Sequence, residues 1–144
     1  GWRVGAGEAE VTSTFWIFCG HAWADVELQV KGGEGVKVAV GLPRMAEMRR
    51  DGKDGYMLSW GEDGRGWAVM FPPDALVKFL DLGGNQIALL SPDIHGRLEY
   101  QILSREGMGS AEEFEAAVKL TLKSIVNPPE VKILPGKGRR GGKR

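Results

Sequence analysis

Apolar and polar residues alternate with period two over long stretches of this chain, and glycine-rich breaks separate them. From Ala24 to Lys31, Val26, Leu28 and Val30 fall on one side and Asp25, Glu27, Gln29 and Lys31 on the other. That is the pattern of a strand with one face buried and one face wet. Val36, Val38 and Val40 repeat it after Gly32-Gly33-Glu34-Gly35, so the two strands read as a hairpin. Tyr56–Trp60 and Trp67–Phe71 flank the polar loop 61–66 as a second hairpin, in which Trp60 faces Trp67, Leu58 faces Val69 and Tyr56 faces Phe71. Gln86–Leu90 and Arg97–Leu103 form a third around Pro92–Gly96, and residues 42–53 read as an exposed connector. With 22 glycines in 144 residues, the chain has turn formers enough for such a fold.

Two segments depart from period two. Pro72-Pro73-Asp74 opens a stretch in which Leu76, Val77 and Leu80 make an apolar stripe that Gly83-Gly84 ends, which predicts a helix. Ser110-Ala111-Glu112-Glu113 is a capping box ahead of Phe114, Ala117, Val118, Thr121, Leu122 and Ile125, spaced along one helical face and stopped at Asn127-Pro128-Pro129. The expected fold class is therefore α+β: an antiparallel sheet with two helices packed on one face, a single domain over 1–129 and a flexible basic tail over 130–144.

Charge is distributed unevenly. The chain is formally neutral, yet residues 130–144 carry a net of +5 from Lys132, Lys137, Arg139, Arg140, Lys143 and Arg144 against Glu130, which leaves −5 on the rest. A basic arm contacts phosphates by releasing their counterions; a solvated tail that only confers solubility is the alternative. Arg44, Arg49, Arg50 and Lys53 form a second basic group beside Lys37 and Arg65, again with an ordinary solvated connector as the alternative. No stretch is long and apolar enough to span a membrane, and the first residues build no signal peptide, so a soluble, cytoplasmic protein without membrane contact is expected. Gly1 in place of Met leaves room for residues upstream.

Five tryptophans, all at or before position 67, are the compositional outlier. Trp16 and Phe18 share a strand face with Thr12 and Thr14, while Val11, Phe15 and Ile17 are expected to supply core on the opposite face. Exposed rings on a strand can stack on nucleic-acid bases; burial against the connector or a partner is the competing reading. For Trp60 and Trp67, packing against Leu58, Val69, Tyr56 and Phe71 is the stronger alternative to stacking.

The order Tyr56–Trp60, glycine-rich turn, Gly66–Phe71, then Pro72–Leu80 resembles the strand, turn, strand, helix end of a repeat in the Whirly and PUR group of single-stranded nucleic-acid-binding proteins. Helix 110–126 after strand 97–103 looks like a second copy. The resemblance implies a curved sheet that binds single-stranded DNA or RNA, often as an oligomer.

The expected function is thus nucleic-acid binding, with single-stranded DNA or RNA as partner. Trp16, Phe18, Trp60 and Trp67 would stack, and Lys37, Arg44, Arg49, Arg50, Arg65, Lys137, Arg139 and Arg140 would hold phosphates. The alternative is a non-catalytic subunit or assembly protein, a homo-oligomer or part of a larger complex, that uses an apolar sheet face as its interface. No cofactor or metal is expected. Two histidines, the lone Cys19 and no recognisable nucleophile pattern argue against an enzyme.

Overall fold

The computed structural model describes residues 2–4, 7–33 and 35–127. The basic segment with Lys137, Arg139 and Arg140 lies outside the described residues. Ten strands, a single 3-10 turn at Pro73–Ala75 and one α-helix follow among the described residues: β1 Trp2–Val4, β2 Gly7–Ile17, β3 Trp23–Gly32, β4 Val38–Pro43, β5 Glu47–Asp51, β6 Tyr56–Trp60, β7 Gly66–Met70, β8 Leu76–Leu82, β9 Asn85–Leu90, β10 Arg97–Arg105 and α1 Ala111–Val126. They form two antiparallel sheets, a seven-stranded one in the order β1-β2-β3-β10-β7-β6-β5 and a three-stranded one in the order β4-β9-β8.

The large sheet is covered on both sides. Toward the small sheet, Val26, Leu28, Met57, Val69, Leu98 and Tyr100 meet Leu42, Ala88 and Leu90 in one core. A buried polar link crosses this interface: Gln86 Nε2 donates to the Leu58 carbonyl at 2.5 Å and to Ser59 Oγ at 2.9 Å, and that hydroxyl donates to the Pro43 carbonyl at 2.6 Å. Each polar atom so paired avoids the cost of burial without a partner. On the other side, Phe114 and Val118 of α1 pack on Tyr56, Leu58, Ala68, Met70 and Leu103 in a second core. Gly66 makes that approach possible, because a Cβ there would lie 2.6 Å from the Phe114 ring.

The expectation of two helices on one face is corrected, since α1 is the single α-helix among the described residues. Residues 76–82, read as helical, are strand β8, joined to β9 by the two-residue turn Gly83-Gly84 with φ of 59° and 78°. Both positive angles belong to the tight turn that matches the twist of a hairpin. A register shift between Leu76 and Lys78 breaks the alternation of β8. That bulge puts apolar residues at a spacing that imitates a helix. The strand–turn–strand–helix order behind the Whirly and PUR resemblance therefore has, after β7, only the 3-10 turn Pro73–Ala75 and then strand β8 where its helix is expected.

Three further expectations change. β3 and β4 do not pair; β3 lies between β2 and β10, and the chain crosses to the small sheet before β4. β9 and β10 likewise belong to different sheets. The β6–β7 hairpin forms, but with Ser59 opposite Trp67, Leu58 opposite Ala68 and Tyr56 opposite Met70. That is a shift of one residue, which places Trp60 and Trp67 on opposite faces. Within the connector 42–53, residues 47–51 are strand β5, paired to β6.

The capping box holds helix α1 at its start: Ser110 Oγ accepts from the Glu113 amide at 3.2 Å. The Glu113 carboxylate accepts from Gly109 N at 2.8 Å, one residue further out than the motif requires. No helix among the described residues is long and apolar enough to cross a membrane.

Candidate functional site

The small sheet and α1 both stop short of β2, and this sets the character of the site. β1 pairs with β2 only at Gly7–Ala9, so among the described residues the outer edge of Glu10–Ile17 has no strand beside it. On the face turned toward the small sheet, Val11, Phe15 and Ile17 are 40%, 58% and 80% exposed. The expectation that this face is core is corrected for Val11, Phe15 and Ile17: the core shared with the small sheet takes in Val26 and Leu28 of β3 but none of these three. On the opposite face Trp16 is also exposed.

Trp16 stands in a regular grid. Cross-strand rows Thr12–Gln29–Arg97, Thr14–Glu27–Glu99 and Trp16–Asp25–Gln101 run over β2, β3 and β10 on the side that carries α1. Three carboxylates face one guanidinium here, and Arg97 bridges Glu27 at 2.7 Å and Glu99. A groove of about 770 Å³ separates this grid from the C-terminal half of α1, lined by Glu99, Gln101, Phe71, Lys119, Leu122 and Lys123 among others.

The aromatic residues singled out in the sequence part company. Trp16 is free to make contacts. Phe18 lies past the end of β2, half exposed, with its ring 5.6 Å from that of His21, which in turn stacks on Trp23 at 4.3 Å. Trp60 packs against the α1 core with its Nε1 buried. Trp67 lies on the other face at 38% exposure.

The arginines are largely engaged within the molecule. Arg49 binds Glu47 at 3.0 Å, Glu115 at 2.7 Å and Glu112. Arg50 pairs with Asp81 at 3.2 Å and lies over the Phe79 ring. Arg65 lies 3.6 Å from both Asp63 and Glu106. Lys37 donates to Ser91 Oγ at 2.9 Å. Arg44 is exposed and makes no ion pair among the described residues. These groups do not gather on the Trp16 face.

Arg49 belongs to a network that sequence inspection missed. Glu115 on α1 accepts from the Tyr56 hydroxyl at 2.5 Å and from Arg49, and pairs with Lys119 at 2.9 Å. The Tyr56 hydrogen bond and then the two cations hold its carboxyl down at about 2. Burial, reinforced by Glu115, pushes the Tyr56 phenol up to about 12. Ionised Glu115 therefore adds stability that is complete above its unfolded value near 4.5 and is lost as pH falls toward 2. Neutral Tyr56 adds stability that is complete below 10 and is lost as pH rises toward 12. In thermal melts from pH 5 to 2, Glu115→Gln should flatten the acid decline of the wild type; parallel declines would show that the network does not carry it.

The structure is a helix-backed antiparallel sandwich whose large sheet extends past its core to β2, a strand with exposed apolar residues. The chain belongs to the family described as a domain of unknown function (DUF4861), whose model matches residues 1–131. No curated protein and no solved structure matches it.

Proposed function

We propose that this domain is a non-catalytic assembly module in which the outer edge of β2 receives a strand from another polypeptide. One observation supports this reading above the others: Glu10–Ile17 combines an open edge, among the described residues, with exposed Val11, Phe15 and Ile17 on one face and Trp16 on the other. A long edge strand with apolar side chains and no charge between Val11 and Ile17 is a template for pairing, which proteins ordinarily blunt with lysine, proline or a bulge. Added main-chain hydrogen bonds would give affinity, and the apolar row would give specificity.

Single-stranded nucleic acid draws less support. Stacking would rest on Trp16 and Phe18, while Asp25, Glu27 and Glu99 beside Trp16 repel phosphates and Arg49, Arg50 and Arg65 are engaged by carboxylates.

The test is site-specific photo-crosslinking in the native host. A benzophenone amino acid at position 15 should give one discrete adduct that Ile17→Lys abolishes, while the same group at exposed Leu120 on α1 gives none. Absence of an adduct at position 15, or equal smears from both positions, would refute the assembly reading.

A further inference from the structure

We draw no further inference here: the strongest candidate, the groove of about 770 Å³ that Leu122, Lys123 and Ile125 of α1 form with Glu99 and Gln101 of β10, carries none because it runs to Asn127, the last of the described residues, and nothing in the structure shows what covers it.

Discussion

Phe114→Ala should lower stability by about 3 to 5 kcal/mol, the largest effect expected of any single truncation in this molecule. Phe114 is fully buried and lies against Gly66 of β7, where no other residue would leave room for its ring. It anchors α1 to a sheet surface made of Tyr56, Leu58, Ala68, Met70 and Leu103. Removing the ring loses its transfer free energy and leaves a cavity that the rigid strands cannot close. A chemical denaturation series should show the midpoint falling with little change in slope. Gly66→Ala should act in the same direction from the other side of the contact. A loss below about 1 kcal/mol for Phe114→Ala would mean that α1 is held by the Glu115 network rather than by packing.

Ile17→Lys should do the reverse, abolishing assembly while leaving the fold alone. Ile17 is 80% exposed at the end of β2, and substitutions at such positions ordinarily change stability by no more than about 0.5 kcal/mol. Within a paired edge the same lysine would bury charge in the apolar row, a cost that no partner there offsets. Size and melting temperature therefore separate the two roles: mass should fall to that of a monomer while the melting temperature of the monomer stays unchanged. A variant that remains assembled would place the interface elsewhere.

The strands were legible in the sequence wherever one face is buried and the other wet. β3 and β10 kept their alternation, with Val26, Leu28, Leu98 and Tyr100 inside. The capping box placed the start of α1 for the same local reason. Sheet membership was hidden, because Gly32–Gly35 and Pro92–Gly96 have the composition of hairpin turns yet carry the chain from one sheet to the other. Local chemistry favours a bend in both cases and does not say which strand lies beyond it. The bulge in β8 disguised a strand as a helix, and a shift of one residue at Gly66 separated Trp60 from Trp67.

The arginines were misleading for a related reason. Arg49 finds Glu112 and Glu115 more than sixty positions away, so its neutralisation exists only in the fold. β2 was the opposite case. Its apolar residues on both faces were visible in the sequence, and the structure gives them a cause: the strand lies beyond the reach of the small sheet and of α1.

Amide hydrogen exchange over Glu10–Ile17 tests the central claim most directly, measured on the protein recovered in its assembled state and again after dissociation to the monomer. Alternate residues of an edge strand already bond inward to β3, so assembly should protect the remaining, outward amides and leave the edges β5 and β8 unchanged. Ile17→Lys should show the monomer pattern under both conditions. Unchanged exchange across Glu10–Ile17, with new protection on β5, β8 or α1 instead, would contradict the assignment of β2 as the assembly edge.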